Sequence, residues 1–120
     1  MDEPVAHPFL VESQTLADET RHAKLCFRLA SAYAGKAVGP GPLDIAGSLA
    51  PITLAQIVDL VIAEGCFGET LATLDAQQAA AEATDPATIA AFTQIAADEQ
   101  RHAELAFRFP SPGCSVDCSI

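Results

Sequence analysis

Apolar residues recur along the chain three or four positions apart, which is the spacing of one face of an α-helix. The first such segment runs from about Phe9 to Ala34. Gly35 follows it and suits the left-handed cap that often ends a helix. The pattern predicts a long helix whose buried stripe consists of Leu16, Ala23, Cys26, Ala30 and Tyr33.

Two further helices are predicted in the second half of the chain. Thr53 is a suitable N-cap for a helix that continues to about Ala83. Asp85 followed by Pro86 is a specific start signal, an N-cap with proline at the first helical position. This third helix ends at Pro110, and its apolar positions are Ile89, Phe92, Ile95, Leu105 and Phe109. Residues 35–52, rich in glycine and proline, predict an irregular connection.

These elements predict an all-α protein with one helical domain over residues 9–109 and irregular ends at residues 1–8 and 110–120. The composition agrees with this fold class. Half of the residues are hydrophobic but only 6% are aromatic, which suits packed helices better than a sheet. Cys26 and Cys66 lie in apolar helical patterns and are expected in the core, whereas Cys114 and Cys118 have no predicted role.

Charge and hydropathy exclude several classes of partner. The net charge of −10 argues against nucleic acid, which requires a basic surface. The most apolar stretch, residues 49–63, contains Pro51, Gln56 and Asp59 and is too short to cross a bilayer. No basic leader followed by an apolar run is visible. The sequence predicts a cytoplasmic protein that binds no membrane.

An internal repeat carries the candidate chemistry. Residues 17–28 read ADETRHAKLCFR and residues 97–108 read ADEQRHAELAFR, identical at nine of twelve positions. Each copy holds Glu-x-x-His, and residues three apart on a helix lie on one face, where a carboxylate and an imidazole can hold one cation together. These groups fall at helical spacing from apolar residues, and a cation would neutralise a carboxylate in the interior. The candidate metal ligands are therefore Glu19, His22, Glu99 and His102.

The doubled Asp-Glu-x-Arg-His pattern on long helices resembles the ferritin-like di-iron carboxylate superfamily, which includes rubrerythrins, ribonucleotide reductase small subunits and demethoxyubiquinone hydroxylases. The resemblance covers about residues 13–109. It implies an antiparallel bundle in which two helices each give a Glu-x-x-His pair and the other two each give a single Glu. It also implies that Asp18 orients His102 and that Asp98 orients His22. Arg21 and Arg101 are expected to form surface ion pairs.

The single Glu that the family places before its second motif has two candidates, Glu64 and Glu69. Five residues separate them, so on an α-helix they point about 140° apart. Glu69 is 16 residues before Asp85 and Glu99 is 14 after it, which makes the two level in an antiparallel hairpin. Glu64 instead shares a stripe with Leu60, Phe67, Leu71 and Leu74. The height along the hairpin favours Glu69, and the position around the helix favours Glu64. Both residues stay candidates.

Three long helices are predicted where the family has four, and Glu12 lies too far from Glu19 to replace the Glu of the first family helix. The chain is thus either a truncated copy or one whose exposed apolar face is covered in a homo-oligomer. The resemblance implies two iron ions, with Mn or Zn as alternatives, in an oxidoreductase or iron-oxidising protein that uses O2 or peroxide. The alternative is a non-catalytic helical assembly module, or a relic of a di-iron enzyme. A zinc hydrolase is disfavoured because no His-Glu-x-x-His is present.

Overall fold

The computed structural model describes residues 8–109, with side chains from residue 13 onward. Helix α1 spans Pro8–Ala34, α2 spans Leu54–Leu60, α3 spans Glu69–Glu82 and α4 spans Pro86–Arg108. A π-helical segment, Val61–Gly68, joins α2 to α3 without a break. The part of the chain that the structure describes thus forms three continuous helices without a strand, which confirms the all-α class. Apart from Pro8, the predicted irregular ends lie outside the described residues.

The chain divides into two compact units, residues 1–44 and residues 45–120. In the first unit, α1 ends at Gly35, whose φ of +63° confirms the predicted left-handed cap. The chain then turns back, and the Ser31 hydroxyl accepts the Val38 amide hydrogen at 2.9 Å. The same hydroxyl lies 2.7 Å from the Phe27 carbonyl oxygen and donates to it. These bonds fix the residues after α1 beside its last turns.

The second unit is a helical hairpin. Thr53 caps α2 in a reciprocal capping box with Gln56, and the Asp85 carboxylate accepts the Thr88 amide hydrogen at the start of α4. Both predicted N-caps are therefore confirmed. The short link at residues 83–85 requires the two helices to run antiparallel.

The helices of the hairpin come into close contact at Gly65. A Cβ at this position would lie 2.8 Å from the Cβ of Ala106. The buried apolar residues of the unit are mostly small: Cys66, Ala76, Ala91, Ile95, Ala96 and Ala103. Close packing here depends on small residues rather than on aromatic bulk.

Several predicted buried faces are wrong. Leu16 and Tyr33 of α1 are exposed, as is Cys26, although Cys66 is buried as predicted. The buried residues of α1 are instead Asp18 and His22. In the second helix the predicted stripe of Leu60, Phe67, Leu71 and Leu74 is also exposed. Polar side chains occupy buried positions on α1 and α4, so the hydrophobic pattern alone selects the wrong residues.

No helix among the described residues combines the length and the apolarity that a bilayer crossing requires.

Candidate metal centre

The first Glu-x-x-His pair lies in the middle of α1. His22 is buried, with its side chain 7% exposed, whereas the Glu19 side chain is 52% exposed. Nδ1 of His22 lies 3.7 Å from Oε1 of Glu19. The prediction that both residues belong to a buried stripe is thus right for His22 and wrong for Glu19.

The second pair lies on α4 and is the more buried of the two. Glu99 is 7% exposed and His102 is 4% exposed. Nδ1 of His102 lies 3.1 Å from Oε2 of Glu99. Two atoms that each bind one ion at about 2.1 Å, at roughly a right angle, lie about 3.0 Å apart. The pair therefore has the separation of two adjacent ligands on one cation, and the same separation is a hydrogen bond when Nδ1 carries the proton.

Asp18 and Asp98 are the most deeply buried side chains of the described region, at 1% and 0% exposure. Neither is a surface carboxylate. Oδ1 of each accepts a hydrogen bond from a glutamine four residues earlier, Gln14 at 2.8 Å and Gln94 at 2.9 Å. The same oxygen pairs with the arginine three residues later, Arg21 or Arg101. The predicted arginine ion pairs are confirmed, and their partners are these buried aspartates.

Gln14 and Gln94 extend the repeat beyond its sequence motif, because each hydrogen-bonds to the buried aspartate of its own copy. Their signal was available, because Gln14 and Gln94 are also separated by the eighty positions that separate the two motifs. The repeated unit is therefore longer than the Asp-Glu-x-Arg-His core. Each buried aspartate is fixed by an amide and a guanidinium from its own helix.

The structure distinguishes Glu64 from Glu69 by exposure. Glu64 is exposed and Glu69 is half-buried. The amide hydrogen of Glu69 is donated to the carbonyl oxygen of Glu64, which is the i to i−5 bond of a π-helix. The angle predicted between the two acids assumed α-helical geometry and does not apply across this turn. π-Helical turns are rare in proteins, and those that occur are often found at functional sites.

The register of the hairpin also favours Glu69. Gly65 packs against Ala106. One helical turn after Gly65 lies Glu69, and one turn before Ala106 lies His102. Because the helices run antiparallel, Glu69 is level with the second Glu-x-x-His pair, as the height argument predicted. Glu64 adjoins Gly65 and is therefore level with the Gly65–Ala106 contact, one turn away from the pair.

Within the described residues, the chain therefore offers carboxylate and imidazole donors on two helices and a half-buried carboxylate on a third. Oxygen and nitrogen donors without thiolate suit iron or manganese, and they accept zinc. Buried Cys66 is not needed as a ligand. In comparisons with known proteins, no family model, no curated protein and no solved structure matches the chain.

Proposed function

We propose that this chain is a ferritin-like metal protein whose two Glu-x-x-His pairs bind iron. The proposed ligands are Glu19 of α1 and the Glu99 and His102 pair of α4. His22 and Glu69 complete the proposed centre, with Glu64 as the alternative to Glu69. Asp18 and Asp98 would orient the histidines. The single observation that carries the proposal is the repeated local structure, in which both copies bury the histidine and fix the aspartate through glutamine and arginine.

Burial supplies the physical argument. A carboxylate and an imidazole removed from water lose hydration that only a hydrogen bond, a charge partner or a metal can replace. The Glu99 and His102 pair has both burial and ligand spacing. A bound iron ion would supply one-electron chemistry toward O2 or peroxide. The chain would supply flexible carboxylates, fixed imidazoles and a helical wall that limits the access of water.

The experiment is an anaerobic Fe(II) titration of the whole chain, followed by calorimetry. We expect saturable binding of up to two ions per chain and its loss in Glu99→Ala. The matched control is Glu104→Ala, which removes an exposed glutamate from the same helix. Admission of O2 to the loaded protein should then produce a visible absorption band. Equal Fe(II) binding by the two variants, or no binding by the unmodified chain, would refute the proposal.

A second candidate function, a non-catalytic assembly module, is favoured by a different observation. Six large apolar side chains stay exposed on the second helix: Leu54, Leu60, Ile62, Phe67, Leu71 and Leu74. An exposed apolar stripe that includes Phe67, Leu71 and Leu74 is typical of an interaction face. The homo-oligomer and the cytoplasmic location both stay predictions. Unchanged thermal stability on addition of Fe(II), together with a stable oligomer, would favour this second function over the first.

A further inference from the structure

The first unit contains an open groove between α1 and residues 38–40. Its volume is about 650 Å³, within the range of pockets that hold small organic ligands. Gly35 reverses the chain at the end of α1, and the Ser31 hydroxyl holds Val38 beside the helix. Pro40 adds a residue of fixed φ to this second wall. The groove is therefore built by specific bonds of the fold.

The lining of the groove combines an apolar floor with two cations. Ala23, Phe27, Val38 and Pro40 contribute the apolar surface. Lys24 and Arg28 contribute two positive charges, and Glu19 contributes one negative charge at the other end. The two cations are four residues apart and so lie on one helical face, where like charges repel. Neither makes an ion pair within residues 13–109.

Cations without an ion pair, such as Lys24 and Arg28 within the described residues, are unexpected in so acidic a chain. It has 6 basic and 16 acidic residues, so acidic partners for surface cations are abundant. Two of the six basic residues nevertheless line one apolar groove, and neither forms an ion pair among the described residues, although the carboxylate of Glu19 lines the same groove. An anionic ligand would relieve their mutual repulsion, and an apolar body on that ligand would cover the floor.

We propose that the groove binds an amphiphilic organic carboxylate. The carboxylate would lie against Lys24 and Arg28, and its alkyl or aryl body would cover Phe27 and Ala23. Glu19 lines the groove at the other end. Between Glu19 and Arg28 the helix rises about 13 Å, at 1.5 Å per residue, so a body the length of an octanoate chain fits this span.

Binding is tested by calorimetry on the whole, metal-free chain, so that the result does not depend on the iron proposal. The probes are octanoate, octanol and acetate, which separate the charge from the apolar body. We expect saturable binding of octanoate, binding of octanol weaker by about tenfold because it lacks the ion pairs, and no detectable binding of acetate. Equal binding of octanoate and octanol, or no octanoate binding at millimolar concentration, would overturn the proposal.

Variants locate the site. The double substitution Lys24→Gln and Arg28→Gln should weaken octanoate binding by about tenfold while leaving octanol binding unchanged. The control is Lys36→Gln, an exposed lysine of the same unit that does not line the groove. Both cations are exposed, so the double variant is expected to retain the helical circular dichroism of the unmodified chain. An equal loss of octanoate binding in the control and the double variant would refute the assignment to this groove.

One consequence rests on the proposed function. Glu19 both lines the groove and is a proposed iron ligand, so bound octanoate would lie next to the metal centre. Octanoate should then shift the visible spectrum of the iron-loaded chain, and octanol should shift it less. An unchanged spectrum despite calorimetric binding would contradict this adjacency alone.

Discussion

Substitution of Gly65 by alanine tests the packing that positions the second helix of the hairpin. The added Cβ would lie 2.8 Å from the Cβ of Ala106, and ordinary contact begins at 3.4 Å. The helices must therefore separate locally by the difference, 3.4 − 2.8 = 0.6 Å. Neither methyl group can rotate away, because both are attached directly to the backbone.

Two effects of opposite sign decide the magnitude. Alanine is a better helix former than glycine by about 1 kcal/mol, whereas overpacking of a tight contact costs about 1–3 kcal/mol. We expect Gly65→Ala to lower the free energy of unfolding by about 0–2 kcal/mol. The combined Gly65→Ala and Ala106→Gly exchange removes the clash and balances the helix propensities. Its stability should therefore return close to that of the unmodified chain, with a coupling of about 1–3 kcal/mol.

Gly68 provides the matched control. It lies at the end of the same π segment with φ −59°, and the nearest atom that an added Cβ would meet there, the carbonyl oxygen of Ala63, is 3.6 Å away. Gly68→Ala should therefore stabilise the chain by up to about 1 kcal/mol. Urea unfolding of five proteins gives the comparison: the unmodified chain, Gly65→Ala, Ala106→Gly, the double exchange and Gly68→Ala. Stabilisation by Gly65→Ala equal to that by Gly68→Ala, with additive effects in the double exchange, would refute the close contact.

Three further predictions concern the cap, the outer hydrogen bonds and the exposed stripe. Hydrogen bonds from the Thr88 amide, and next from the Thr88 hydroxyl, hold the pKa of the Asp85 carboxyl below its ordinary value of 3.8. The stabilisation of the folded chain by this cap is therefore present above that pH and is lost as the pH falls through the lower pKa of the folded state. Asp85→Asn keeps the cap but removes the titrating group. Between roughly pH 5 and pH 2.5, the melting temperature of the unmodified chain should therefore fall toward that of Asp85→Asn. A difference in melting temperature that does not change with pH would contradict the linkage. Gln94→Leu removes a hydrogen bond to buried Asp98 and should weaken Fe(II) binding by about tenfold. Gln78→Leu, at an exposed glutamine that is hydrogen-bonded to Glu82, should leave Fe(II) binding unchanged. Equal Fe(II) affinities of the two variants would exclude a positioning role for Gln94. If the exposed stripe joins copies of the chain, Phe67→Glu should lower the mass measured by light scattering. Thr93→Glu, at an exposed position of α4, should leave that mass unchanged. An oligomer that survives Phe67→Glu would show that this stripe is not the interface.

The ends of the helices could be predicted from sequence because their signals are local. Thr53, Asp85 with Pro86, and Gly35 each satisfy or redirect backbone groups within a few residues, and each has the predicted role. Capping depends on the residue and its immediate neighbours. The all-α class follows from the same signals.

The buried faces could not be predicted in the same way. On α1, Leu16 is exposed while Asp18 and His22 are buried, so polar side chains take buried positions that a hydrophobic pattern assigns to apolar ones. In the second helix the π segment shifts the phase of every residue after it. A regular period of 3.6 residues therefore cannot relate Glu64 to Glu69.

The residue types of the candidate site could be predicted, but the residues that hydrogen-bond to its buried aspartates could not. The repeat identified Glu99 and His102, which prove to be buried neighbours. Gln14 and Gln94 were missed because glutamine at a helix surface is common and carries no chemical signal by itself. Only their hydrogen bonds to the buried aspartates reveal what the longer repeat preserves.

The coordination of iron in the loaded chain tests the central claim most directly, and X-ray absorption at the iron edge measures it. We predict nitrogen and oxygen neighbours at about 2.0–2.2 Å, as for imidazole and carboxylate ligands, with the imidazole contribution lost in the combined His22→Ala and His102→Ala variant. Sulfur neighbours at about 2.3 Å, or an unchanged imidazole contribution in that variant, would contradict the account.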